Sequence, residues 1–253
     1  MLQRPENTPD CVVNHMSTDP AARQTTPIAA AGSKPRSPVA APRSRRLRLF
    51  RWLPRAWVIT TASARSRQLY LTFDDGPDPE HTPPLLDLLA LHDAKATFFV
   101  IGQSAERHPA LLRRIIDEGH ALGNHSWSHP RIERLPSHER RDELDRTDRL
   151  LQAIDGRGRH DFRPPRGAVS AAMLLDCVRH GRRIAYWSYD SLDYSQRPSA
   201  ELIAAMRERP VRSGDIVLMH DDSGHSLEML RTLLPEWASA GYVFKPLPAV
   251  PDA

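Results

Sequence analysis

Leu69-Tyr70-Leu71-Thr72-Phe73-Asp74-Asp75-Gly76-Pro77 is an apolar run that ends abruptly in two adjacent carboxylates and two turn residues. Its length, its aromatic and β-branched content and its Gly-Pro stop predict a buried strand that delivers acids to a sheet edge. Neighbouring side chains of an extended chain point to opposite faces, so Asp74 and Asp75 converge on one site only if the backbone turns there. Gly76 and Pro77 are the residues expected to supply that turn. Alone, Asp-Asp-Gly-Pro reads equally well as a turn with solvated acids, and the residues downstream of it decide between the two.

From Gln68 onward, short apolar runs alternate with amphipathic stretches, the pattern of βα units around a parallel sheet. Predicted strands are Ala96 to Ile101, His120 to Gly123, Ile184 to Tyr189, Asp215 to Met219 and Tyr242 to Phe244, with a strand end and turn at Phe162 to Gly167. Predicted helices are Pro83 to Leu91 capped by Thr82, Ala105 to Glu118 ending at Gly119, and Ser137 to Ile154. Three more are expected: a Ser170-capped helix to about His180, a Ser199-capped helix to Arg209, and Ser226 to Ala240. Roughly seven strands in about 180 residues point to a short, closed or nearly closed α/β barrel, with a doubly wound open sheet as the alternative. In both, the polar clusters at the C-terminal strand ends are where an active site forms.

The chain has 253 residues and a net charge of +4, distributed unevenly. Residues 1–67 carry 12 Lys+Arg against 3 Asp+Glu, a net +9, and the remainder is at −5. The basic balance therefore belongs to the leader and does not make the chain a nucleic-acid binder. Residues 1 to about 45 are rich in Pro, Ala, Ser, Thr and Arg without apolar periodicity, and are expected to be disordered. The first residues lack the apolar core of a standard signal peptide, which leaves cytoplasmic and membrane-associated locations both open. Arg45 to Ile59 mixes Arg with Leu, Phe, Trp and Val; it is expected to pack on the domain or act as a linker, with contact to an anionic membrane surface as the competing reading. The expected division is a leader and linker at 1–67 and a catalytic domain at 68–248. Two cysteines, Cys11 and Cys177, indicate neither a disulfide framework nor a Cys-rich metal site.

His125 and His129 are four apart, a spacing that puts two imidazoles on one face of a single helical turn. With one carboxylate of the Asp pair they make a two-imidazole, one-carboxylate ligand set that leaves positions open for water and substrate, as in catalytic metal sites. The other carboxylate is then within reach as a base. Arg163, at another strand end, can hold that carboxylate ionised. His220 follows the strand Ile216-Val217-Leu218-Met219 and is the natural general acid, with Asp193 orienting its ring and Asp190 competing for that role. Asp221 and Asp222 read as a turn. His81, His92, His108, His138, His160, His180 and His225 read as surface or cap residues.

Five ordered motifs over residues 68 to about 245 resemble the polysaccharide deacetylases, carbohydrate esterase family four. They are Thr72-Phe73-Asp74-Asp75-Gly76-Pro77, His125-Ser126-Trp127-Ser128-His129, Arg163-Pro164-Pro165-Arg166-Gly167, Asp190-Ser191-Leu192-Asp193-Tyr194 and Leu218-Met219-His220. The resemblance implies a distorted (β/α)7 barrel, Asp74 as catalytic base held by Arg163, and Asp75, His125 and His129 as ligands of one divalent ion. Zinc comes first for that ion, with cobalt, nickel or manganese as alternatives. It further implies His220 as general acid partnered by Asp193, and the backbone N–H of Arg166 as an oxyanion donor. The chain departs from the family in carrying Tyr194 where Trp is common and Arg166 where an aromatic is common. Both side chains shape the rim, and an Arg there favours an anionic glycan. The implied activity is N-deacetylation of GlcNAc-containing poly- or oligosaccharides, so the expected partner is an acetylated glycan. Alternatives are deacetylation of O-acetyl esters or other amides, and a non-catalytic glycan-binding relic. An aspartate-nucleophile phosphotransferase would leave His125, His129 and His220 unexplained.

Overall fold

The computed structural model describes residues 50–63 and 66–249. In chain order the elements are β1 (Val58–Ile59), β2 (Gln68–Asp74), α1 (Thr82–Leu91), β3 (Ala96–Val100), α2 (Gly102–Arg107), α3 (Pro109–Asp117), β4 (Ala121–Asn124) and α4 (Ser137–Asp155). They continue with α5 (Ala171–Arg179), β5 (Ile184–Ala185), β6 (Tyr189–Asp190), α6 (Ser199–Glu208), β7 (Ile216–His220), α7 (Gly224–Ser239) and β8 (Val243–Phe244). The apolar run that ends at Asp74 is the central strand, β2, paired in parallel with β3 on one side and β7 on the other. β4 lies beyond β3, β6 beyond β7, and β8 pairs with the start of β2. Single-residue bridges Asn124↔Phe162 and Phe162↔Ile184 carry the pairing from β4 to β5. Since β5 and β6 lie on one run of chain and β6 returns to β7, the parallel sheet curls into a distorted (β/α)7 barrel.

Period-two alternation sorts the side chains of β2. Leu69, Leu71 and Phe73 face outward into a core shared with Val217 and Met219 of β7, Leu85, Leu86 and Leu89 of α1, and Leu230, Leu233 and Leu234 of α7. Tyr70 faces the barrel interior with Ile59, Phe99, Ala185 and Ile216. Each fully buried Leu or Phe contributes about 2 kcal/mol of transfer free energy. A one-residue slip would exchange the two faces, so register is strongly specified. Thr72 and Asp74 consequently share the interior face, and that places the site.

Several expected boundaries differ. The helix anticipated from Ala105 to Glu118 is two helices, broken where Pro109 lacks an N–H and pushes His108 out of helical geometry, at φ −127° and ψ 54°. Thr82 and Ser199 are first helical residues rather than caps, and their hydroxyls are spent on Asp221 and Glu228. Ser170 does cap α5, accepting the Met173 N–H. Packing also extends upstream of Gln68: Phe50 sits edge-on to Tyr186 at 5.2 Å, and β1 pairs in parallel with β5. Residues 1–49, Cys11 included, lie outside the described residues. Among the described residues no helix is long and apolar enough to cross a membrane.

Candidate active site

The interior face of β2 ends in a buried ion pair. Arg163 is fully buried, and its Nη1 donates to Asp74 Oδ1 at 2.8 Å and to Thr72 Oγ1 at 2.7 Å. Its Nε donates to Ala185 O at 3.3 Å, and its guanidinium lies 4.1 Å from the centre of the Phe99 ring. The Thr72 hydroxyl donates onward to Val217 O at 2.6 Å, so both partners of the arginine are fixed by the sheet. Gly123 makes room for this stack, since a Cβ there would stand 2.4 Å from the Phe99 ring. A buried pair is stabilising only while both members remain: removing one leaves an uncompensated charge at about 3–5 kcal/mol.

Asp75 reaches the same cavity because its own backbone turns, at φ 75°, one residue before the Gly-Pro expected to do so. Asp75 Oδ1 lies 3.3 Å from His125 Nε2 and 3.4 Å from His129 Nε2. The two imidazoles do not meet on a helical turn. Residues 125–130 form a loop with Ser126 and His129 at φ 67° and 55°, and side chains pin its backbone. Asn124 Oδ1 accepts the Ser126 N–H at 2.8 Å, while Glu143 accepts the N–H groups of Trp127 and Ser128 at 2.9 and 2.8 Å. Asn124 is itself anchored, donating to Leu144 O and Asp148 Oδ1.

This trio fits a divalent ion. The three ligand atoms lie within 4.8 Å of one another, and the buried Asp75 Oδ1 has no hydrogen-bond partner. His125 Nδ1 is committed to Arg163 O at 2.8 Å, which turns the lone pair of Nε2 toward Asp75. Burial pushes the pKa of His129 down, favouring the neutral, ligating form. Burial acts to raise Asp75, but the closeness of His125, with His129 and His220 behind it, brings it down to about 2.

Across the cavity, His220 Nδ1 pairs with Asp193 Oδ1 at 2.9 Å, and the His220 backbone N–H donates to Asp193 Oδ2 at 2.7 Å. Ser191 and Ser226 hydroxyls donate to the same carboxylate. Burial opposes a charged imidazole, yet the Asp193 hydrogen bond and charge, with help from Asp74 and Asp75, raise His220 to about 9. Asp190 does not compete: it accepts from Leu192 N–H and Tyr194 Oη, shaping the turn. His225, expected at the surface, bonds to Asp193 O at 2.9 Å; His160 is buried against Asp155 at 3.0 Å.

Asp74, Asp75, His125, His129 and His220 line one cavity of about 310 Å³, whose wall is completed by Arg166, Gly167, Trp187, Tyr194 and Leu218. Arg166 is exposed, sits at φ 56°, and makes no ion pair among the described residues. Trp187 was missed by sequence reasoning. Leu218, part of the last motif, lies two residues before His220 and therefore on its face. Asp221 lies in the bend expected there, yet it is 1% exposed, accepts a hydrogen bond from Thr82 Oγ1 at 2.6 Å, and is pushed up to about 7, chiefly by burial.

A peptidoglycan-N-acetylglucosamine deacetylase of Bacillus cereus is 35% identical to this chain over 208 residues, spanning 79% of this chain and 75% of its own. The chain belongs to the polysaccharide deacetylase family. Residues 61–185 match the family's description, polysaccharide deacetylase, directly. A chitooligosaccharide deacetylase of Azorhizobium caulinodans is 34% identical over 196 residues, covering 71% of this deacetylase and 92% of the relative. The solved structure of Bacillus subtilis PdaA, a family 4 carbohydrate esterase, superposes with a TM-score of 0.70 at 30% identity, over 80% of this chain and 87% of that one. The protein is thus a hydrolase of the class acting on carbon–nitrogen bonds other than peptide bonds.

Proposed function

We propose that this polysaccharide deacetylase removes N-acetyl groups from GlcNAc-containing glycans of the peptidoglycan or chitooligosaccharide type, using one divalent ion, zinc first, held by Asp75, His125 and His129. The observation that carries the reading is the register of β2 and β7: Asp74 and His220 are Cα partners on adjacent strands, so a carboxylate and an imidazole flank the same cavity beside the ligand trio. A bound ion would supply Lewis acidity, polarising the acetamide carbonyl and acidifying water. Asp74, oriented by its hydrogen bond from Arg163, takes the proton of the attacking water. The Arg166 backbone N–H donates to the oxygen on which negative charge develops. His220, held cationic by Asp193, delivers a proton to nitrogen as the C–N bond breaks, giving acetate and a free amine. Tyr194 and Trp187 provide apolar faces for a sugar ring, and the unpaired Arg166 guanidinium favours substrates that carry a negative charge.

Acetate release from chitooligosaccharides, peptidoglycan fragments and O-acetylated xylan, with zinc-loaded and chelated protein, tests the proposal. Chelator-sensitive release from an N-acetylated glycan is expected. Release from O-acetylated xylan alone, or none from any substrate with zinc bound, overturns it.

A further inference from the structure

The turn that carries Asp74 and Asp75 rests on a carboxyl group that the proposed chemistry does not use. Asp221 follows His220 at the end of β7, points away from the cavity and is buried. A Cβ placed on Gly76 would meet Asp221 Oδ2 at 2.2 Å, Oδ1 at 2.3 Å and Cγ at 2.4 Å, so the carboxyl occupies the space where any other residue at 76 would put its side chain. Its backbone N–H donates to Asp74 O at 3.2 Å. Thr82 Oγ1 donates to Asp221 Oδ2 at 2.6 Å and accepts the Asp78 N–H at 2.8 Å, closing the far side of the turn. On the opposite side the Ile101 N–H donates to Gly76 O at 2.9 Å. The backbone between Asp74 and Asp78 is therefore clamped just where Asp75 takes a left-handed conformation, uncommon for a residue with a Cβ.

We infer that Asp221 is a positioning residue for the metal-ligating turn: by filling the space beside Gly76 and tying it to Thr82, it holds Asp75 in line with His125 and His129. The inference rests on the metal site proposed above. Groups that orient a ligand from behind alter metal affinity by about 10–100-fold when lost, and an effect of that size is expected here.

Zinc affinity, measured by competition with a chromophoric chelator on the full-length protein, tests it independently of turnover, with circular dichroism confirming the fold. Asp221→Ala is expected to weaken zinc binding by about 10–100-fold, and Asp221→Asn, of the same shape and still able to accept from Thr82, to restore most of it. Gly76→Ala keeps Asp221 but displaces it, and should weaken zinc similarly. The double variant Gly76→Ala/Asp221→Ala should bind more tightly than the product of the two single losses, because the new methyl fills the vacated space. Should Asp221→Ala fail to fold, Gly76→Ala decides. Unchanged zinc affinity in Gly76→Ala, and in Asp221→Ala where it folds, with zinc bound by the wild type, overturns the positioning role alone. A wild type that binds no zinc overturns the metal reading, and the role of Asp221 with it.

Discussion

Two Asp-Asp pairs end neighbouring strands of the same sheet and meet opposite fates. Asp74-Asp75 closes β2 and Asp221-Asp222 follows β7, displaced by one residue because Asp74 aligns with His220. The first pair faces a cavity whose walls supply an arginine and two imidazoles, and Asp75 is brought down to about 2. In the second, Asp222 is exposed, while Asp221 turns inward to meet a hydroxyl and a glycine, and burial lifts it to about 7. One dipeptide thus faces an open cavity lined by cationic and imidazole groups in one place and is divided between solvent and the interior in the other. The role of a carboxyl is decided by the cations the fold sets opposite it and by the backbone conformation that aims it.

The contrast breaks first at the cavity pair. His125→Ala should abolish zinc binding and turnover together, as seen by metal analysis and acetate release. Asp74→Asn should lower kcat by about 100- to 10,000-fold, the range for a lost general base, while zinc content stays at the wild-type level. Wild-type turnover in Asp74→Asn would mean that the two pairs do not differ in the way described.

pH sharpens it next. His220 titrates at about 9 instead of 6.5, so its contribution to stability is fully present below pH 6.5 and lost as pH rises through 9. Activity should fall along the same alkaline limb. Asp193→Asn should move that limb down by about one unit or more, since a paired carboxylate raises its partner by 1–3 units. Asp221 behaves in the reverse sense to Asp75. Its pKa is raised from 3.8 to about 7, so across that window the unfolded chain ionises first and stability falls as pH rises. The contribution of Asp75, lowered from 3.8 to about 2, is present above 3.8 and lost as pH falls through 2. Thermal unfolding should therefore show Asp221→Asn gaining on the wild type between pH 5 and pH 8.

The smallest effect is expected at the rim. Arg166→Tyr should change selectivity between anionic and neutral acetylated sugars through KM by a few-fold, as suits an exposed charge, and leave kcat for neutral substrates nearly unchanged.

Much of this arrangement was legible in the sequence because strands obey a simple rule. Alternation alone places Thr72 with Asp74 and Leu218 with His220, and an apolar run stopped by polar residues marks each strand end. The His125 and His129 pairing was legible as a spacing, but its geometry was not. A spacing of four suggests a helical turn, whereas the loop is held by Asn124 and Glu143, the latter sixteen residues beyond Trp127. Asp221 was opaque for a related reason. His-Asp-Asp after a strand looks the same whether the acid is solvated or buried, and only Gly76, 145 residues earlier, distinguishes the cases. The break at Pro109 was signalled locally and outweighed by the helical periodicity on either side.

The two residues of β1 have a practical bearing beyond the active site. Trp57 O and Ile59 O accept the N–H groups of Ile184 and Tyr186, both at 2.8 Å, and so cover a strand that would otherwise present bare amides. A polypeptide begun at Gln68, the start suggested by the apolar pattern, loses that cover. Its β5 becomes an open edge bordered by the apolar surface that Phe50 and Val58 had shielded, a template for strand addition between molecules. Self-association on concentration, rather than loss of any catalytic group, is the fault such a truncated protein would show.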